Sequence, residues 1–405
     1  MREIDRRSCL ERAAATAGVT GAALNAGCLS NLAGGGANNT DGGNDSDDDN
    51  DANNTDGGNS GDRNTKISIV SAPTPTTKLE VKYLREETNI LEGVMDEIGY
   101  DSEVQLTWDE LPQFLGGNAD IAPSMGTTAA ANLAVEREFN LTAHARSTPQ
   151  HTGLYVRKGS DYDPDEIGGK QAAVDNIVQD GAKFGIGGWG LGTIPAYRFI
   201  FKEKYGYDFS QEGEFNVVTG EFPTLSRSVA NGDIAAAGSG PPYGLWDVRD
   251  KVKPLFWNQE ELPDIDFHKL TMCISNGITK TSFAEEHPKA VAAWFGLEKR
   301  AHEHMANNVE DIASRDSVQK SLNVPSKEAA AWVLDFRYNA KHTNNEYPAS
   351  LQEIGFIEDR IETDKNAIKA GEELGFIESG WEESLNYNAN QSEIQKYYEM
   401  AKEHE

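Results

Sequence analysis

Only three cysteines occur in 405 residues. Cys9 and Cys28 fall in the leader, so Cys273 stands alone in the body of the chain, which leaves neither a disulfide framework nor a cysteine-based metal site there. Positive charge is scarce too: 37 Lys and Arg face 66 Asp and Glu, a formal charge of −29. Such a field repels phosphates and anionic lipid surfaces, which argues against a nucleic-acid partner. No stretch beyond the leader is long and apolar enough for a transmembrane helix. Also missing are G-x-S-x-G, H-E-x-x-H and the P-loop, so nothing argues for catalysis, and no enzyme activity, metal or cofactor is expected.

What is present describes a globular protein behind an unusual leader. Hydrophobic residues make up 38% of the chain and aromatics 9%, enough for a sizeable core in two or three domain-sized units. The surplus of carboxylates over lysine fits a halophilic surface, built to stay hydrated in strong salt.

In the leader, Asp5-Arg6-Arg7-Ser8-Cys9-Leu10 sets two adjacent arginines before a weakly apolar, uncharged stretch from Ala13 to Leu24. This resembles a twin-arginine export signal, a route that carries folded proteins. Leu24-Asn25-Ala26-Gly27-Cys28 then resembles a lipobox, although Asn25 stands where an aliphatic residue is usual. The resemblance implies Cys28 as lipid anchor, a signal over residues 1–28, and a mature protein at the extracellular face of the membrane. Residues 29–65, rich in Asp, Asn, Gly, Ser and Thr, read as an acidic disordered tether. Its Asp47-Asp48-Asp49 run lacks EF-hand spacing and a closing Glu, so it reads as solvated linker rather than a calcium loop. Asn38, Asn44 and Asn53 lie in N-x-Ser/Thr sequons.

From Lys66 the composition changes. Lys66 to Val70 reads as a buried strand, and one helix is predicted from about Leu79 to Ile98. Glu103 to Trp108 follows as a strand, and Asp109 to Leu115 as a capped helix start. Ser124-Met125-Gly126-Thr127-Thr128 reads as a small-residue loop whose helix presents free N–H groups to a polar ligand. Leu141 to Arg146 and His151 to Arg157 read as paired strands, with a first interlobe crossing after them. A second segment repeats the logic: strand Lys183 to Ile186, helix Thr193 to Tyr205, strand Glu214 to Thr219, helix Phe222 to Gly232 and a short strand to Gly238. Such alternation predicts mainly parallel sheets. Pro288 to Asn307, Ser326 to Ala340, Ser350 to Ala370 and Gln391 to His404 read as an outer shell of helices.

Two segments carry a family likeness, Gly116-Gly117-Asn118-Ala119-Asp120-Ile121-Ala122-Pro123 and Ala230-Asn231-Gly232-Asp233-Ile234-Ala235-Ala236-Ala237-Gly238. With His287-Pro288, where Lys289 replaces an acid, they resemble the type II periplasmic solute-binding proteins of ABC importers. The nearest groups are the nitrate/sulfonate/taurine group and its relatives that bind thiamine pyrimidine precursors. The resemblance implies an α/β, two-lobed type II fold with an interlobe ligand cleft and extra C-terminal helices. It places lobe one at 66–156, lobe two at 157–268 and the return to lobe one with the C-terminal helices at 269–405. It also implies a monomer that captures a small solute by hinge closure and hands it to permease and ATPase subunits, an anion being favoured. The implied contacts are Ser71, Ala72, Pro73, Thr74, Ser124, Met125, Gly126, Thr127 and Thr128 in lobe one. In lobe two they are Gly188, Trp189, Gly190, Thr193, Ser239, Gly240 and Pro241.

Four sharper readings compete. Gly185 to Gly190 matches G-x-G-x-x-G, but no acidic residue ends the next strand at the spacing a ribose needs, which argues against a dinucleotide. Trp189, flanked by glycines, is read as an apolar wall for ligand, with core packing as the alternative. His144, Arg146 and His151 offer positive charge to an anion, or pair with surface carboxylates. His302 and His304, two apart on a helix, point away from each other and are read as a solvated face rather than a metal site.

Overall fold

The computed structural model describes residues 64–107, 109–136, 139–149, 152–189, 191–240, 244–261, 273–338, 353–354, 358–388 and 391–405. The leader, with Cys28 and the tether's sequons, lies outside them.

Chain order builds a first α/β segment from β1 (Thr65–Ser71), α1 (Pro75–Lys82), α2 (Ile90–Glu97), β2 (Tyr100–Leu106), α3 (Glu110–Leu115), β3 (Ile121–Gly126), α4 (Thr127–Glu136) and β4 (Leu141–Pro149). A second follows with β5 (Gly153–Arg157), α5 (Pro164–Ile167), α6 (Lys170–Gln179), β6 (Lys183–Ile186), α7 (Ile194–Ile200), β7 (Asn216–Thr219), α8 (Phe222–Asn231), β8 (Ala236–Ser239), β9 (Val252–Trp257) and α9 (Asn258–Glu261). The chain then adds β10 (Cys273–Lys280), α10 (Thr281–Glu286), α11 (Pro288–Asn307), α12 (Val309–Ser314), α13 (Asp316–Leu322), α14 (Lys327–Tyr338), β11 (Glu353–Ile354), α15 (Glu358–Glu373), β12 (Leu385–Tyr387) and α16 (Gln391–His404).

These strands form two sheets. The first runs β11-β4-β10-β3-β1-β2, with β12 also on β4, and the second runs β7-β6-β8-β5-β9. Both are mixed rather than mainly parallel: β1 pairs parallel with β2 and β3, whereas β10 is antiparallel to β3 and β4. In the second sheet β6 is parallel to β7 and β8, while β5 is antiparallel to β8 and β9. Strands that enter or leave a lobe by crossing from the other one carry no βαβ constraint, so they run antiparallel. The predicted pairing of Leu141–Arg146 with the strand ending at Arg157 is therefore corrected: β4 and β5 lie in different sheets.

Burial follows the sequence pattern. Ile67 and Ile69 of β1 enter one apolar cluster with α2, α11 and α14, while Val70, on the opposite face, enters another with Phe114, Ala122 and Met125. The second sheet has its own core, in which Phe184 meets Tyr197, Phe201, Phe209 and Phe215 at centroid distances of 5.2–6.1 Å.

Two helical predictions are corrected. The single helix from Leu79 to Ile98 is split by a π turn at Tyr83–Glu87 and by Asn89, whose φ of 57° is a left-handed conformation asparagine tolerates. The split lets Tyr83, Leu84, Ile90 and Leu91 all point inward. One of the C-terminal helices is not part of an outer shell: α14 is buried from Ala329 through Tyr338, because Ala329 to Leu334 are apolar around the whole helix.

The two lobes meet beside α14, where Trp257 and Phe336 lie 6.3 Å apart and Trp246 and Trp332 5.7 Å apart. At the edge of lobe two, Asn258 follows β9 and Thr152 precedes β5. Asn258 donates both its backbone N–H and its Nδ2 to Thr152, to the carbonyl and to Oγ1, each at 3.1 Å.

Candidate functional site

In open α/β sheets a ligand meets the carboxyl ends of parallel strands, where helix N-termini point unsatisfied N–H groups outward. In lobe one, β1 and β3 end side by side and lead into α1 and α4. Ser71 Oγ lies 3.0 Å from Ser124 Oγ, and the Ala72 N–H donates to that same Ser124 oxygen at 3.1 Å. Pro73 leads into Thr74, which caps α1: its Oγ1 accepts from Thr77 N–H at 3.2 Å and lies 2.7 Å from Thr77 Oγ1. Pro75 follows at a position suited to its fixed φ.

Ser124, Met125 and Gly126 belong to β3 itself, correcting the predicted loop, and Thr127 opens α4 directly with Thr128 next. Met125 is buried in the apolar cluster behind the site. The strand persists because β10 continues alongside it, Ser275 opposite Gly126 and Asn276 opposite Met125.

Two carboxylates at this end of lobe one were not foreseen. Glu110, buried on α3, accepts from Ser124 N–H at 3.2 Å and from Ser124 Oγ at 3.0 and 3.1 Å. Asp364 of α15 accepts from Asn276 Nδ2 at 2.8 Å, both residues fully buried. Such bonds hold each carboxylate and its donor in place. Position 110 was legible only as a helix start, and no sequence signal connects residues 276 and 364.

In lobe two, Gly188 and Trp189 follow β6, Thr193 is buried just ahead of α7, and Ser239 ends β8 with Gly240 after it. Gly190 and Pro241 lie outside the described residues. Ser239 Oγ sits 2.9 Å from Ser226 Oγ on α8, both buried. Trp189 is half-buried, its ring 5.3 Å from Phe209 at the margin of the second core.

The first two glycines of the G-x-G-x-x-G match, Gly185 and Gly187, serve packing. A Cβ on Gly185 would lie 2.8 Å from Leu225 Cδ2, and one on Gly187 would lie 2.7 Å from both Leu191 Cδ1 and Phe222 Cζ. The backbone there approaches its own side chains, which accounts for these two glycines without a pyrophosphate.

His144 does not offer positive charge. It is buried, its Nε2 is 2.8 Å from Thr279 Oγ1 and its ring stacks 5.6 Å from Phe295, and this burial pushes its pKa down to about 3. His151 is outside the described residues. His302 is not on a solvated face either: its Nε2 lies 3.0 Å from Glu80 Oε1, to which Tyr338 Oη donates at 2.6 Å in the core. Among the described residues, no group of His, Cys, Asp and Glu is arranged to hold a metal ion, and no helix is long and apolar enough to cross a membrane.

No family model matches the chain, and no curated protein matches it. Solved structures do. The periplasmic aliphatic sulphonate binding protein of Escherichia coli aligns with a TM-score of 0.54 at 12% identity, over 77% of this chain and 94% of its own. The periplasmic nitrate-binding protein of Synechocystis PCC 6803 gives 0.54 at 10% identity, over 83% of this chain and 89% of its own. The alkanesulfonate-binding protein of Xanthomonas axonopodis pv. citri, bound to MOPS, gives 0.52 at 11% identity, over 80% and 99%. The fold is that of the type II periplasmic binding proteins, two α/β lobes and additional C-terminal helices.

Proposed function

We propose that this chain is the extracellular solute-binding subunit of an ABC importer, exported by the twin-arginine route and held by a lipid on Cys28 through the tether of residues 29–65. In this reading residues 66–149 and 273–405 make up lobe one and 152–261 lobe two, the boundary falling before β5, which pairs with β8 and β9 rather than with β4. The solute would sit between the loops after β1, β3, β6 and β8 and would be handed unchanged to the permease and ATPase subunits. No catalytic step belongs to this reading.

The observation that carries the reading is the pair of helix starts at Thr74 and Thr127, at the ends of adjacent parallel strands. N–H groups and hydroxyls converging at such a place suit a small anion. The sulfonate- and nitrate-binding proteins of similar fold support that class. Glu110, at the ends of β1 and β3 where it holds Ser124, favours a solute that brings its own cation, and so a taurine-like amino-sulfonate over nitrate. The same carboxylate supports an amine-bearing pyrimidine as second choice.

Thermal unfolding of the full chain in strong salt, with taurine, ethanesulfonate, nitrate, the thiamine pyrimidine precursor and NAD, tests this. A solute at one hundred times its Kd stabilises by about 2.7 kcal/mol. Taurine should give the largest upward shift, ethanesulfonate less and nitrate least. A response to the pyrimidine alone would select the second solute, and a response to NAD alone or to nothing would reject the transport reading.

A further inference from the structure

Besides the aromatic contacts beside α14, the lobes are joined by α15 and the turn after it. The buried positions of α15, Thr363, Asp364, Ala367, Ile368 and Gly371, recur at helical spacing. That stripe is divided between the lobes. Ala367 belongs to the core of the second sheet, where Ala370 and Leu374 also pack, whereas Ile368 belongs to the cluster that contains Met125 of the first sheet. Phe376 packs against both.

The turn is fastened at each end. On lobe two, the Phe376 ring lies 5.3 Å from Phe199, and the Arg198 guanidinium stands 5.2 Å from its centroid. On lobe one, Asn132 Nδ2 donates to the Phe376 carbonyl at 3.3 Å, and the Glu378 N–H donates back to Asn132 Oδ1 at 3.0 Å. Asn132 is on α4 and Phe199 on α7, the two helices that start at the candidate ligand loops of their lobes. Asp364, one turn before Ile368, bonds Asn276 opposite Met125, so the same helix is also tied to β10 beside β3.

We propose that residues 358–378 are an intramolecular strap that holds the two lobes closed without solute, and that solute exchange requires the strap to let go. In an unstrapped hinge protein the ligand itself supplies the contacts that favour closure. Here the chain supplies apolar contacts to both cores and a two-way hydrogen bond. The second half of the proposal rests on reading the cleft as the solute site, whereas the first half does not.

The test is the distance between spin labels on genetically encoded amino acids at exposed Glu86 in lobe one and exposed Glu166 in lobe two, in the full chain in strong salt without solute. The wild type should give one narrow distance. The Phe376→Ser, Asn132→Ala variant should give a longer and broader distribution. Should the double variant fold poorly, Asn132→Ala alone removes only the two hydrogen bonds of the strap and should broaden the distribution in the same direction. A broad distribution in the solute-free wild type, or the wild-type distance in a folded variant, would overturn the strap. Taurine is then added to the opened variant: return to the short distance supports the solute reading as well, and no response counts against that reading while leaving the strap established.

Discussion

Asn258 and Thr152 bond each other twice where the chain leaves and enters lobe two, and both are buried. The pair ties the end of β9 to the start of β5, so the two strands are fixed to each other by side chain as well as by backbone.

Asn258→Ala removes the side-chain bond and leaves the buried Thr152 hydroxyl short of a partner. The expected loss is about 1–3 kcal/mol in urea denaturation. Thr152→Val, close in volume, should cost a similar amount, and the double variant less than the sum. Strict additivity would show that the two side chains do not act as a unit.

Ser124 is the hub of the lobe-one site, because its hydroxyl meets Ser71, the Ala72 amide and the Glu110 carboxylate. Ser124→Ala strips a donor from a buried carboxyl group, so it should destabilise by about 1–3 kcal/mol, against roughly 0.5–1.5 kcal/mol for Ser71→Ala. Adding Glu110→Gln should cost less in the Ser124→Ala background than alone, because the bond between the two side chains is already gone. Equal costs for the two serine variants would remove Glu110 from the account.

Much of the frame was legible locally. Lys66 to Val70 and Lys183 to Ile186 are short apolar runs bounded by polar residues or glycine, and each is a strand because nothing longer-range opposes it. Ser124 to Gly126 misled because small residues usually mark loops, while here β10 keeps them extended. Asn89 hid its break inside a continuous apolar pattern, which reports the buried face and not the backbone. Asp364 was invisible for another reason: its meaning lies in Asn276, 88 residues away, and a helical stripe cannot say which two lobes it will divide between.

Gly238 is fixed by Tyr197. A Cβ at position 238 would lie 2.4 Å from Tyr197 Oη, the hydroxyl that also donates to the Gly153 carbonyl at 3.3 Å. Gly238→Ala should therefore cost about 1–3 kcal/mol as overpacking. Combining it with Tyr197→Phe should return part of that loss, because the atom in the way is absent. Thermal midpoints of the four proteins of this cycle decide the point, and a double variant weaker than the sum of the singles would place the clash elsewhere.

His144 makes stability depend on pH in a range where carboxylates contribute little. Its folded pKa is depressed to about 3 from an ordinary value of 6.5, because burial disfavours the charged ring. The unfolded chain takes up a proton below about pH 6.5 while the folded one does not, so this contribution is complete above that pH and declines as pH falls toward 3. The slope is about 1.4 kcal/mol per pH unit. His144→Gln should be less stable at pH 7, through loss of the fit against Phe295 and Thr279, yet its stability should fall less steeply between pH 6 and 5. Because the carboxylates are common to both proteins, the difference between the two urea-denaturation series isolates the imidazole. Parallel curves over that interval would mean that His144 takes its proton in the folded state, and with it that β4 opens to water at this position.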